Sequence, residues 1–402
     1  MNRNWVNVLA ASAMLAAAAY AAGCCIPQTV VSDVPAYAYV GNQSSNTVSG
    51  YAVDNSSGAL TAVPGSPFTG PTGPRQTAAE LFGKYLYVAN GGSGEVAGSG
   101  VYAYSIASAS GALTAISGSP FPGGSGPRGL VVDPSGEYVY TANRNDNNVS
   151  GYVVSASSGV LTPVPGSPFA IMSSSSEQAP GPQKITVDPA GKFLYVTDHL
   201  TGDIAGFTIN SSTGALTAIS GSPFSDQETP DIDIQPYAIV VAPSGKFVYV
   251  TNHGTSTISV YSVNSTSGAL TPVSGSPFSI PPPSECDAQP YGAAIGPSGQ
   301  FLYVADYGCS SISIFFLNPL TGVPTQIANS PVFIDTDDLD CEAEPNDDTI
   351  DSTGRFLYVA DQGCGLVTGY SIDPTTGALT EIAGSPFTAG NQPYGVAISR
   401  IN

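Results

Sequence analysis

One short stretch, Gly-Lys-Phe-Val-Tyr-Val-Thr-Asn at residues 245–252, occurs in seven related copies along this chain of 402 residues. The intervals between the last residues of successive copies are 48, 53, 55, 54, 54 and 55 residues. A β-rich repeat with a period near 50 residues predicts a propeller with one blade per repeat. The copies end at Asn42, Asn90, Asn143, Asp198, Asn252, Asp306 and Asp361.

Four strands can be predicted in each repeat, and the fifth repeat displays them best. Strand A covers Tyr237–Val241, strand B covers Phe247–Thr251, strand C covers Thr257–Val263 and strand D covers Leu270–Val273. Short β-branched and aromatic runs separated by Gly, Pro, Asn and Ser are typical of strands joined by tight turns. The sequence therefore predicts an all-β, seven-bladed β-propeller of four-stranded antiparallel blades.

The two ends of the chain are out of register with the repeat. The first repeat begins at its strand B, with Tyr37–Val40, and Gln392–Ser399 reads as a strand A that no strand B follows. We expect this C-terminal strand to complete blade 1 as its inner strand, which closes the ring and removes an open sheet edge.

The first residues read as an export signal rather than as part of the fold. Arg3 is followed by an apolar run that ends at Ala22, too short for a convincing membrane span. Ala-Ala-Gly-Cys at residues 21–24 resembles a bacterial lipobox, so we expect lipidation of Cys24; simple signal cleavage is the alternative. The predicted organisation is a signal peptide (1–23), an anchor or linker (24–35) and a single propeller domain (36–402). Either way, the protein would be extracytoplasmic, secreted or held in the cell envelope.

Charge restricts the partners of this chain. The formal net charge is −20, with only ten Lys and Arg residues. Nucleic acids and anionic membrane surfaces are bound by basic faces. We therefore expect no nucleic acid partner and membrane contact only through a lipid anchor. Separately, we expect the protein to be a monomer.

Four cysteines follow the signal, in two pairs with a spacing of 23 residues, Cys286 with Cys309 and Cys341 with Cys364. In each pair the first precedes a strand A and the second follows the adjacent strand B. Since antiparallel strands place these positions at one edge, two disulfides are expected in an exported protein. A four-cysteine zinc site is the alternative.

The repeat combines Pro-Tyr or Pro-Arg before a Val/Ile-rich strand, Asp-Pro-Ser-Gly, Phe-Leu-Tyr-Val-Ala with Asn or Asp, and Gly-Ala-Leu-Thr. This pattern resembles the seven-bladed lactonase-type propellers, the 6-phosphogluconolactonase-like and Tyr-Val-Thr-Asn repeat proteins. The resemblance covers residues 36–400 and implies the fold. It also implies His and Arg residues at the channel mouth, although no inner-strand Pro is followed by His here.

Two sets of side chains are expected around the mouth of the channel. The first set follows the Pro that opens each strand A: Arg75, Arg128, Gln183, Tyr237, Tyr291, Asn346 and Tyr394. The second set follows each strand B: Gln43, Gly91, Arg144, His199, His253, Tyr307 and Gln362.

These sets predict a ligand site. Arg75 would bind an anion, and Asp198 together with Tyr237, Tyr291 and Tyr394 would bind a sugar or peptide. For lactone hydrolysis, His199 or His253 would act as a general base on water, and Arg128 or Arg144 would stabilise the oxyanion. The alternative is that these residues pack and cap the blades.

The acidic run at residues 335–340 contains Asp335, Asp337, Asp338 and Asp340. Carboxylates at short spacing suit Ca²⁺, whereas a solvated acidic loop is the alternative. No other cofactor is expected.

We interpret the sequence as an extracytoplasmic binding or scaffold module with a ligand site at the channel mouth. Its partner would be a carbohydrate, a small organic acid or lactone, or an envelope protein. The alternative is a lactonase-like hydrolase, related to 6-phosphogluconolactonase, acting on a sugar or organic-acid lactone.

Overall fold

The computed structural model describes residues 36–80, 82–92, 99–175, 178–225, 234–281, 286–334 and 341–400. The chain from Val34 to Asn402 is one compact unit. It contains seven antiparallel sheets, one for each blade. Each sheet has four principal strands, which we label A to D from the inner edge of the blade to its outer edge. This arrangement confirms the predicted seven-bladed propeller.

The strands recur with nearly constant lengths from blade 1 to blade 7. The A strands are Pro393–Arg400, Pro74–Ala79, Pro127–Val132, Pro182–Val187, Pro236–Val241, Pro290–Ile295 and Pro345–Ile350. The B strands are Ala36–Asn42, Tyr85–Asn90, Tyr138–Asn143, Phe193–Asp198, Phe247–Asn252, Phe301–Asp306 and Phe356–Asp361.

The C strands have seven residues each, and the D strands at the rim have only three. The C strands are Thr47–Val53, Gly100–Ile106, Asn148–Val154, Asp203–Ile209, Thr257–Val263, Ser311–Leu317 and Leu366–Ile372. The D strands are Leu60–Ala62, Leu113–Ala115, Leu161–Pro163, Leu216–Ala218, Leu270–Pro272, Pro324–Gln326 and Leu379–Glu381. Two-residue strands that also pair with strand C are Phe68–Thr69, Phe169–Ala170, Phe224–Ser225, Phe278–Ser279, Val332–Phe333 and Phe387–Thr388.

The C-terminal strand closes the ring. Pro393–Arg400 pairs antiparallel with Ala36–Asn42, so blade 1 combines the last strand of the chain with its first three. The predicted closure is confirmed.

The repeated motif also links each blade to the next. The central Tyr of each strand B is buried, and its hydroxyl donates a hydrogen bond to the carbonyl of a Gly in the C–D turn of the following blade. This Gly adopts positive φ, and a Cβ at Gly322 would lie 2.5 Å from the Phe247 ring. The bonds are Tyr39–Gly111, Tyr87–Gly159, Tyr140–Gly214, Tyr195–Gly268, Tyr249–Gly322, Tyr303–Gly377 and, across the closure, Tyr358–Gly58.

Helix is nearly absent from the described part of the chain, where one 3₁₀ turn, Tyr307–Cys309, follows strand B of blade 6. Across those same residues, no helix has the length and apolar character that a membrane span requires.

Candidate functional site

Every strand A begins with an irregular register against strand B. The shift falls just after the opening Pro in all seven blades, for example between Pro236 and Ile239. A bulge of this kind re-aims a side chain away from its place in the ladder. The residue after each Pro thus lies at the bulge, and several of these side chains contact one another across the channel.

Tyr394, Tyr237 and Gln183 form a hydrogen-bonded layer across the channel. The Tyr237 and Tyr394 hydroxyl oxygens are 2.9 Å apart, and Gln183 Nε2 donates to the Tyr394 hydroxyl at 3.0 Å. Gln183 Oε1 accepts from Arg144 Nη1 at 2.7 Å. These hydrogen bonds join residues from blades 1, 3, 4 and 5, and both tyrosines are buried.

Positive charge converges on Tyr394. The Arg75 guanidinium carbon lies 5.2 Å from the centre of the Tyr394 ring, and Lys184 Nζ lies 5.8 Å from it. Burial alone would raise the pKa of Tyr394, but the charges of Arg128, Arg75 and Lys184 lower it to about 8. Its partner Tyr237, by contrast, has a pKa raised well above the ordinary value by burial and by Tyr394. In a chain of net charge −20, this region is locally cationic.

A second polar layer lies next to the first and was not anticipated from the sequence. Lys184 Nζ donates to Asp347 Oδ1 at 2.7 Å, and Gln76 Nε2 donates to Asp347 Oδ2 at 3.1 Å. Lys184 Nζ also donates to Gln76 Oε1. Each of these three residues is the second residue after the Pro that opens strand A. The other four blades have Gly or Ala at this position, and these small residues leave room for the long side chains to meet. The sequence signal for this layer was the presence of long or charged side chains at a position that holds Gly or Ala in the other four blades.

The two histidines lie at the junction of blades 4 and 5 and differ in environment. Burial, reinforced by the positive charge of Arg144, lowers the pKa of His199 to about 4, so His199 is neutral at neutral pH. His253 is held by Gln235, whose Oε1 is 3.1 Å from His253 Nδ1 and whose carbonyl accepts from the His253 backbone N–H. With Nδ1 donating to that amide oxygen, Nε2 is the basic nitrogen of His253.

Aromatic rings line the other side of the mouth. The Tyr237 and Tyr291 rings stack with centroids 4.1 Å apart, and Tyr291 contacts Tyr307 at 4.5 Å and His253 at 4.9 Å. Tyr307 lies on the 3₁₀ turn beside Glu344. Burial and the charge of Glu344 raise the pKa of Tyr307 to about 12.

Asp198 does not join this arrangement at the surface of the mouth. Its side chain is fully buried at the end of strand B, the position that Asn252 occupies in the next blade. Burial, with the neighbouring Asp203 as a further cause, raises the pKa of Asp198 to about 7. Its neighbour His199 reaches the mouth instead and contacts the Tyr237 ring edge to face.

The two predicted disulfides are present, Cys286–Cys309 and Cys341–Cys364, with Cα atoms 5.6 and 5.4 Å apart. Cys24 and the proposed Ca²⁺ ligands Asp335, Asp337, Asp338 and Asp340 lie outside the described residues. Within the described ranges, no group of three or more His, Cys, Asp or Glu side chains is placed to hold a metal ion.

Comparison with known proteins relates the chain to lactonases. Residues 29–170, 167–280 and 278–394 match the family described as lactonase, seven-bladed β-propeller. A 6-phosphogluconolactonase of Serratia proteamaculans is 24% identical over 311 residues, which are 74% of this chain and 82% of that protein.

Two further similarities are shorter or more distant. A 6-phosphogluconolactonase of Pectobacterium carotovorum is 30% identical over 172 residues, 40% of this chain, and the match spans only 46% of that protein. The solved structure of the periplasmic gluconolactonase of Pseudomonas aeruginosa superposes with a TM-score of 0.72 at 18% identity, covering 92% of this chain and 100% of that one. At this identity the structural likeness concerns the fold.

Proposed function

The chain belongs to the lactonase family of seven-bladed β-propellers, and from this premise we propose that it hydrolyses a sugar lactone at the mouth of its channel. Of the two interpretations that the sequence offers, the family relationship favours hydrolysis over a binding module alone. The observation that carries the proposal is the convergence of Arg75, Arg128 and Arg144 with His253 in a strongly acidic chain.

The reaction needs a base for water and a cation for the oxyanion. His253 Nε2 would remove a proton from water while Gln235 holds Nδ1–H. The water oxygen bonds to the lactone carbonyl carbon, and the carbonyl oxygen becomes an oxyanion beside Arg128. Collapse of this intermediate breaks the ring C–O bond, and protonated His253 returns the proton to the departing oxygen. One water is consumed, and the product is a hydroxy acid.

Arg128 is the best placed cation for this role. Its charge acts on the pKa of Tyr237, Tyr291, Tyr394 and His199, so it lies near side chains from blades 1, 4, 5 and 6. Arg144 is engaged with Gln183 and is better suited to hold the layer that supports the site. Preorganised donors at an oxyanion typically contribute about 10²–10³ in rate.

We also propose an extracytoplasmic location, with lipid attachment at Cys24 as the means of anchoring. The two disulfides support this location, because such bonds persist in oxidising compartments. A sugar lactone present outside the cytoplasm would then be the substrate, with no protein partner required.

The test is turnover of glucono-δ-lactone and 6-phosphogluconolactone, corrected for spontaneous hydrolysis. We expect His253→Ala and Arg128→Ala each to lower kcat/KM by about 10²–10³. Lys246→Ala, which removes an exposed cation from an A–B turn, is the matched control and should retain the wild-type rate. Wild-type turnover in both mouth variants would move the reaction elsewhere, and no turnover of any lactone would return the protein to the class of binding modules.

A further inference from the structure

We infer that the mouth contains a second subsite, which binds a neutral sugar residue attached to the lactone ring. The substrate would then be the lactone of an oligosaccharide rather than of a single sugar. This inference rests on the proposed function, which it deepens by naming the substrate class. It draws on contacts that run from blade 5 through blade 6 to blade 7 and that the hydrolysis of a small lactone does not use.

An aromatic series leads outward from the proposed reaction centre. From the buried Tyr237, ring contacts run to Tyr291 at 4.1 Å and on to Tyr307 at 4.5 Å. Tyr291 and Tyr307 are partly exposed, so the series passes from the channel floor toward solvent. Tyrosine rings suit the apolar faces of sugars, because each combines a large flat surface with a hydroxyl at its rim.

The series ends at a cleft beside the Cys341–Cys364 disulfide. The cleft has a volume of about 780 Å³, within the range of sites that hold ligands larger than one sugar ring. Its lining includes Glu342, Glu344, Gln362, Asn391 and Gln392. These carboxylate and amide oxygens accept hydrogen bonds, as the hydroxyls of a sugar require.

The cleft is continuous with the mouth. Glu344 lies beside the Tyr307 hydroxyl, at the end of the aromatic series. Gln362 Oε1 accepts from Asn346 Nδ2 at 2.8 Å, and Asn346 belongs to the ring of residues that follow the opening Pro. A ligand whose lactone lies near Arg128 and His253 can therefore extend along the tyrosines into the cleft.

Charge decides what kind of extension fits. Glu342 and Glu344 line the cleft, and its lining includes no Lys or Arg among the described residues. A phosphate or carboxylate there would meet like charge, whereas a neutral polyhydroxylated unit would not. Anionic groups belong to the opposite side of the mouth, with Arg75, Arg128 and Arg144.

Both disulfides hold parts of this subsite. Cys309 ends the 3₁₀ turn that carries Tyr307 and is bonded to Cys286. Cys341 and Cys364 form part of the cleft wall. A subsite held in place before binding loses less conformational entropy when its ligand binds.

The experiment compares one sugar with two. We expect kcat/KM to be about tenfold higher for cellobiono-δ-lactone than for glucono-δ-lactone. Tyr307→Ala and Glu344→Gln should remove this preference, because they should lower the rate for cellobiono-δ-lactone about tenfold more than the rate for glucono-δ-lactone. Tyr307→Phe keeps the aromatic ring and should retain most of the preference. Glu137→Gln, on an exposed turn of blade 3, is the control for the loss of a negative charge.

Equal rates for both lactones in the wild type, or equal losses on both in Tyr307→Ala, would overturn the subsite and leave the lactonase proposal standing. Calorimetric binding of cellobionate, the open-chain acid, separates the two proposals further. Binding that depends on Tyr307 without any lactone turnover would overturn the proposed function and support the subsite. Absence of both turnover and binding would overturn both.

Discussion

Blades 2 and 3 bring Arg75, Arg128 and Arg144 to the channel mouth, whereas blades 6 and 7 bring Tyr291, Tyr307 and Glu344 together with both disulfides. The backbone of these two regions is nearly the same, with strands of equal length and a register shift after each opening Pro. The regions differ in the side chains carried at that shift and after strand B. One half is thereby suited to anionic groups and developing negative charge, and the other to neutral sugar surface.

This contrast shows how a repeated scaffold acquires an asymmetric site. The Tyr–Gly hydrogen bonds between blades are kept in all seven repeats, and they do not involve the side chains of the mouth. Stability and ligand recognition are thus assigned to different positions of the repeat. Side chains in the mouth can therefore vary while the fold is retained.

The most stringent test of the difference between the two halves of the mouth is to reverse one charge in each half. Arg128→Glu places a carboxylate where the oxyanion of the proposed reaction would form, and we expect it to lower kcat/KM for glucono-δ-lactone by about 10³ or more. Glu344→Lys in the other half should lower the same rate by less than about tenfold, because glucono-δ-lactone does not reach the cleft. Thermal unfolding of both variants checks that the fold is intact. Equal losses in the two variants would contradict the division of roles.

The fold could be predicted from the sequence because its determinants are local and repeated. The period located the blades, and the unpaired strand at residues 392–399 indicated the closure that Pro393–Arg400 makes. The positions after Pro and after strand B also pointed to the mouth, and the structure brings Arg128, His253 and Tyr291 together there.

Contacts that join distant blades were not predictable in the same way. Lys184, Asp347 and Gln76 come from blades 4, 7 and 2. Their shared place in the repeat marks them as exceptions among small residues, but it does not indicate which of these side chains bond to one another. Asp198 illustrates the reverse difficulty, since it was expected in the ligand site with the tyrosines, whereas its side chain is buried at the end of strand B. The same position holds a buried Asn in blades 1, 2, 3 and 5. In blades 1, 3 and 5 this Asn donates to a Ser hydroxyl of strand C, as Asn252 does to Ser259.

The last residue of strand B, which is Asp in some blades and Asn in others, offers a second test with a smaller expected effect. Burial raises the pKa of Asp306 to about 7, above the ordinary value of 3.8. Between these values the folded protein binds more protons than the unfolded chain, so stability is lost as the pH rises from about 4 through 7. We expect Asp306→Asn to raise the free energy of unfolding by about 2 kcal/mol at pH 8 and to change it little at pH 4.

The neighbouring blade provides the reciprocal control. Asn252 donates through Nδ2 to Ser259 Oγ at 2.7 Å, whereas Asp306 Oδ2 accepts from Ser313 Oγ at 2.6 Å. Asn252→Asp should therefore lower the free energy of unfolding at pH 8 and leave it nearly unchanged at pH 4. Denaturant unfolding at both pH values measures this difference. A stability difference that does not vary with pH in either variant would rule out the titration of these carboxyls as its cause.

Tyr394 lies where the two halves meet, and its titration should produce the smallest of these effects. Its pKa of about 8 sets it apart from buried tyrosines such as Tyr51 and Tyr152, whose pKa is raised to about 12 by burial. Above pH 8 a phenolate at Tyr394 would offset the charge of Arg75 and Arg128, so kcat/KM should fall about fivefold in the wild type. Tyr394→Phe should remove both this fall and the early step in phenolate absorbance. Because the absorbance step requires no turnover, it tests the cationic environment of Tyr394 even if the substrate is not a lactone.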